Sequence, residues 1–114
     1  MRALFIELPP FERLRGAYLD DESFCAMQNS LMEDPAAGDV IQGTGGLRKL
    51  RWADKRRGKG KRGGLRVIYF YWAMGSEFWL FTIYDKDELS DLSKKNRATL
   101  EGLLKMELKM RKST

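Results

Sequence analysis

The 114-residue chain has no histidine, one cysteine and only three prolines. Without histidine, a ribonuclease mechanism built on two imidazoles is excluded. With Cys25 as the sole thiol there is no internal disulfide, and the two absences together argue against a zinc site. Cys25 stands among Phe24, Ala26 and Met27, a setting that predicts an inert, buried thiol. No apolar run approaches the roughly 20 residues a membrane helix requires, and the N-terminus lacks a signal-peptide pattern. A cytoplasmic protein with no membrane partner is expected. Clustered carboxylates are also scarce. Asp85, Asp87 and Glu88 form a weak, contiguous group, so a metal-dependent nuclease is not indicated and no cofactor is expected.

What the chain does have is charge concentrated in one place. Arg48 to Arg66 holds ten basic residues (Arg48, Lys49, Arg51, Lys55, Arg56, Arg57, Lys59, Lys61, Arg62, Arg66) against one acid, Asp54, and so carries +9. The rest sums to −4, and Met1 to Leu47 alone to −5, eight acids against three bases. A basic insert on an acidic body suits a polyanion, of which nucleic acid is the commonest. Hydrophobic content of 43% separates the chain from a disordered basic tail, and its length fits a single domain over residues 1–114.

The elements follow from spacing. Met1 to Leu8 is rich in strand formers and stops at Pro9-Pro10. Phe11, Leu14 and Tyr18 mark a short helix. Asp20 caps a second, with Phe24, Met27 and Leu31 as its apolar stripe and Pro35 as its bound, giving a helical hairpin for one face of a sheet. Asp34 to Gly46 contains four glycines and reads as irregular, with Val40-Ile41 as an anchor to the core. In a strand from Leu47 to Trp52, Lys49 and Arg51 share one side with Leu47, and Arg48, Leu50 and Trp52 share the other. Ala53 to Gly64 is a basic, glycine-broken loop expected to be mobile. Leu65 to Trp72 is a central strand buried on both faces, interrupted only by Arg66. Met74-Gly75-Ser76 turns the chain into Phe78 to Tyr84, and Ser90 or Ser93 caps a last helix carrying Leu92, Leu100, Leu103, Leu104 and Leu108. The order β-α-α-β-β-β-α predicts a small α+β fold, an antiparallel meander with its helices on one side.

Three constellations carry chemistry. Lys49, Arg51 and Arg66 lie on neighbouring strands and are placed to converge on one face, where three cations would bind a phosphodiester and stabilise a phosphorane. The plainer reading is a solvated strand face paired with surface acids. Arg66 is a costly residue in an apolar strand and keeps the two in balance. The loop Lys55 to Arg62 speaks only for a polyanion. Tyr84 and Lys86 stand at the exit of the last strand, where a tyrosine either stacks on a base or ends the core, and a lysine among cations serves as acid or base.

The runs GDVIQGTGGLRKLRWADKRRGKGKRGGLRVIYFY and FTIYDKDELSDLS are similar to the HigB branch of the RelE toxin superfamily, the toxins of bacterial type II toxin-antitoxin modules. The resemblance spans nearly the whole chain. It implies a small RelE-like fold, with a curved antiparallel sheet, an N-terminal helical hairpin and a C-terminal helix packed against it. It implies a metal-independent endoribonuclease that cuts mRNA in the ribosomal A site, inhibits translation and is neutralised by a HigA-type antitoxin, through which alone it meets operator DNA. Carried over by motif, Lys49, Arg51, Arg66, Tyr84 and Lys86 are its catalytic residues. Arg48, Lys55, Arg56, Arg57, Lys59, Lys61 and Arg62 would face ribosomal RNA. Asp85 and Asp87 depart from the family pattern around Lys86. Two other readings stand beside this one: a ParE-like poison of DNA gyrase, and a non-catalytic RNA-binding module.

Overall fold

The computed structural model describes residues 2–61, 64–89 and 91–112. Its elements are β1 (Leu4–Glu7), α1 (Pro9–Tyr18), α2 (Asp21–Glu33), β2 (Asp39–Val40), β3 (Arg48–Trp52), β4 (Leu65–Trp72), β5 (Glu77–Asp85) and α3 (Lys94–Lys112). Pro9 and Pro10 do more than stop β1. They occupy the first turn of α1, where a missing N–H costs nothing. Asp20 caps α2 as its position predicts, accepting from the Ser23 N–H at 2.7 Å. At α3 the cap is Ser93, whose Oγ accepts from the Asn96 N–H at 3.0 Å while Asn96 Oδ1 accepts from the Ser93 N–H at 3.2 Å. Ser90, the alternative cap, lies outside the described residues.

The sheet runs in the order β1-β5-β4-β3-β2. It is an α+β architecture with three helices, but the sheet is mixed, because β1 pairs parallel with β5. Asp39–Val40, expected to be irregular, adds a two-residue edge strand against β3, and Ile41 just beyond it is buried. The helices occupy both faces, not one. Leu65, Val67 and Tyr69 of β4 pack in a cluster with Phe11 of α1 and Met27 and Leu31 of α2. Ile68, from the alternate set, packs with Leu92 and with Leu100 and Leu104 of α3. Because alternate residues of a strand face opposite ways, a strand apolar at every position needs cover on both sides. Cys25, expected to be buried, is exposed: Met27 and Leu31 take the inward stripe of α2 and turn the thiol outward.

One irregularity sets the geometry of the site. Tyr69 pairs with Leu80 but Ile68 pairs with Thr82, so Phe81 is an extra, unpaired residue in β5. This β-bulge changes which side chains share a face. Leu80 and Ile83 belong to the α1/α2 side, and Phe81 and Tyr84 to the α3 side. Continued without the bulge, the register would set Ile83 opposite Arg66. With it, Tyr84 is opposite Arg66.

Candidate functional site

Three strands place the candidate residues. Arg51 pairs with Arg66 and Arg66 with Tyr84, a row running straight across β3, β4 and β5. Lys49 pairs with Ile68, two residues along on the same face, so the predicted convergence of Lys49, Arg51 and Arg66 holds and Tyr84 joins it. The loop before β3 is shaped by its G-T-G-G motif. Thr44 is buried; its Oγ1 donates to the Ile41 carbonyl at 2.6 Å and accepts from the Leu47 N–H at 3.2 Å. Gly43, Gly45 and Gly46 hold φ of 78°, 80° and 125°, which side chains disfavour.

Two arginines directly opposite on one face repel, and such a like-charge pair lowers stability unless an anion lies between them. Arg51 is exposed and makes no ion pair among the described residues. Arg66 is buried, and its Nη1 donates to the Lys61 carbonyl at 2.9 Å and to the Leu65 carbonyl at 3.0 Å. Burial first, then the charge of Arg51, lowers the guanidinium below its ordinary pKa. Tyr84 is 8% exposed and its hydroxyl is buried with no hydrogen-bond partner among the described residues. Burial, seconded by Asp91, raises its pKa, while Arg66 and Arg97 oppose the shift, so the phenol stays protonated.

The remaining cations are less free than their number implies. Asp54 is buried and takes a two-pronged contact from Arg56, Nε at 3.0 Å and Nη2 at 2.8 Å. Those hydrogen bonds hold its carboxyl below the usual range. Arg56 also donates to the Ala17 carbonyl at 2.7 Å and lies over the Tyr18 ring. Arg57 binds Asp85, and Asp87 at 2.9 Å; Lys59 binds Asp87 as well. The Lys59 hydrogen bond leads in lowering the Asp87 carboxyl. Lys55 approaches Glu22 at 3.9 Å, and Lys61 lies 5.0 Å from the Trp52 ring centre. The described part of the segment expected to be a loose loop is thus folded, with a 3-10 turn at Lys55–Arg57 and Asp54 paired with Lys59. Glycine permits this: a Cβ on Gly64 would lie 2.5 Å from the Trp52 carbonyl oxygen.

Asp85 and Asp87, the departures around Lys86, therefore serve as counterions for Arg57 and Lys59. Lys86 follows directly, its N–H donating to the Gly64 carbonyl at 3.1 Å beside the start of β4. Arg48 does not join the row. It is on the opposite side of β3 and donates to the Gly38 carbonyl at 2.8 Å, clamping the loop that precedes β2. Arg62 lies outside the described residues. No group of three His, Cys, Asp or Glu side chains among those residues could hold a metal ion.

Arg97 and Asp91 were not singled out from the sequence, yet they lie against this face. Asp91 Oδ1 is 3.5 Å from Lys49 Nζ and Oδ2 is 3.3 Å from Arg97 Nη2. A signal was present: Arg97 precedes Leu100 by three residues and so interrupts the sheet-facing stripe of α3 with a charge.

The fold and face define a small α+β protein with a cationic cross-strand row. No protein-family model matches the chain. No helix among the described residues is long and apolar enough to cross a membrane.

Proposed function

We propose that the chain is a ribosome-dependent endoribonuclease, a toxin of the HigB type with the RelE-like fold, neutralised by a HigA-type antitoxin. The observation that supports this reading best is the row Arg51, Arg66, Tyr84 with Lys49 beside it, on one face of the sheet. Adjacent strands are about 5 Å apart, a spacing matched to a phosphodiester and its neighbouring ribose. In the reaction the 2′-oxygen of the message attacks its own 3′-phosphorus, the P–O bond to the next 5′-oxygen breaks, and a 2′,3′-cyclic phosphate and a 5′-hydroxyl result. The 2′-hydroxyl loses a proton and the 5′-oxygen gains one. Lys49, Arg51 and Arg66 stabilise the charge on the phosphorane, Tyr84 positions the neighbouring nucleotide, and Lys86 stands at the strand exit to handle protons. With no histidine to act as base, in-line placement of the message by the ribosome supplies much of the rate.

The test is primer extension on a translated message, with wild type, Arg66→Lys and Arg66→Ala, and with the same RNA free of ribosomes. Because Arg66 also holds two backbone carbonyls, each variant is first compared with wild type in unfolding midpoint. Cuts should appear only on translated message and fall by about 100-fold or more in Arg66→Ala. Intact message in the presence of a folded wild-type protein would end the nuclease reading and turn attention to gyrase. RNA binding without cleavage would leave a binding module.

A further inference from the structure

Beside the row is a second cluster, which shares Lys49 and Tyr84 with the proposed reaction and adds Asp91 and Arg97, which that reaction does not use. Lys49 reaches it from β3 and Arg97 from the first turn of α3, and the Tyr84 hydroxyl on β5 is near enough to feel the charges of Asp91 and Arg97. At its centre is Asp91, which accepts from the Leu92 N–H at 2.8 Å and from Arg97 at 3.3 Å and pairs with the Lys49 ammonium at 3.5 Å. Two polar atoms are buried here without a hydrogen-bond partner, the Tyr84 hydroxyl and Arg97 Nε. They are the only such side-chain atoms among the described residues that are not exposed. An orphaned donor inside a protein costs stability, so two of them, one on Arg97 in contact with Asp91 and one on Tyr84 within the field of that carboxylate, need an explanation. One carboxylate has two oxygens. A phosphate presents more acceptors around a similar centre and could satisfy the tyrosine and the guanidinium edge together.

We propose that Lys49, Arg97 and the Tyr84 hydroxyl form a phosphate subsite, which the Asp91 carboxylate fills in the free protein as an internal stand-in. The ligand is a backbone phosphate of single-stranded RNA, one position along the strand from the phosphate held by Arg51 and Arg66, with Lys49 shared between the two. The proposal rests on the reading of this face as RNA-binding. Asp91 would then be displaced on substrate entry. Removing its charge would leave the subsite open.

The experiment is a fluorescence-anisotropy titration of a short labelled oligouridylate, over a series of KCl concentrations, with wild type, Asp91→Asn and Asp91→Asn/Arg97→Gln. Asparagine keeps an oxygen for the Leu92 N–H, so the single variant retains that local bond. Asp91→Asn should bind more tightly than wild type. Its plot of log affinity against log salt should be steeper by about 0.7 for each cation that gains a phosphate. The double variant should lose one such increment. Equal affinity and slope in wild type and Asp91→Asn would overturn the subsite, and so would a tightening that survives intact in the double variant, since that would be a general charge effect.

A second measurement needs no substitution. In an NMR titration of wild type with the same RNA, the Arg97 Nε–H and Leu92 amide signals should move by saturation, and still signals would overturn the proposal. The two readings fail separately. If Asp91→Asn gains affinity through Arg97 while no form cuts translated message, the subsite stands and the nuclease reading falls. If wild type cuts but Asp91→Asn binds as wild type does, the reverse holds.

Discussion

Tyr84→Phe separates what the fold needs from what the site needs. The substitution removes a single oxygen that is buried and makes no hydrogen bond among the described residues. A buried unsatisfied hydroxyl costs about 1–3 kcal/mol of stability relative to one that is bonded or absent. Against this stands the space the oxygen vacates, roughly 10–15 Å3, which at about 24 cal/mol per Å3 costs near 0.3 kcal/mol. The ring itself is unchanged and keeps its place in the cluster with Ile68 and Leu92. The net expectation is a gain of about 1 kcal/mol. With a urea slope of about 1–3 kcal/mol per molar, the unfolding midpoint should rise by roughly 0.3–1 M. In a thermal melt the same gain raises the midpoint by about 4 °C. With the hydroxyl holding a phosphate of the message, as proposed above, cleavage should fall in this more stable protein. A drop in stability of about 1 kcal/mol or more would show that the hydroxyl is satisfied in solution, through a bound water, and would refute the reasoning. Equilibrium urea unfolding followed by tryptophan fluorescence decides it.

Two further perturbations probe the frame around the site. The fold favours ionised Asp54, because the Arg56 hydrogen bonds hold its carboxyl below the ordinary range. Its contribution is therefore complete above the ordinary carboxylate value and is lost as pH falls through the depressed folded value; the urea midpoint should decline in that acid window. Asp54→Asn should cost about 1–3 kcal/mol near neutrality and flatten that decline, whereas a wild-type-like acid profile in the variant would contradict it. Gly64→Ala places a Cβ 2.5 Å from the Trp52 oxygen, 2.7 Å from the Gly60 oxygen and 2.8 Å from the Asp54 nitrogen, all backbone atoms that cannot swing aside. It should cost about 1–3 kcal/mol and open Lys55 to Lys61 to limited proteolysis, and an unchanged digestion pattern would show that the loop accommodates it.

Much of the chain is determined by local rules that its residues state openly. Asp20 as a cap, the prolines around α1, the side-by-side placement of Lys49 and Arg51, and the central, doubly buried β4 each follow from a period or a single preferred conformation. The concentration of cations near β3 and β4 was legible in the same way, as a count. What the count could not tell was which cations are engaged. Arg56 meets Asp54, two positions away, but Arg57 and Lys59 meet Asp85 and Asp87, up to thirty positions away, and only the chain's return along β5 brings those two acids to the loop. The same holds for the layers. An apolar strand says that both faces are covered, but not that α3 crosses to the far side while α1 and α2 stay on the near one. The bulge at Phe81 shows the limit most directly. Nothing in FWLFTIY marks the extra residue, since every position is apolar or neutral and either register buries the strand. Yet the register alone decides whether Arg66 meets Ile83 or Tyr84. Side-chain type is local information, while partnership across a sheet is a property of the whole packed chain.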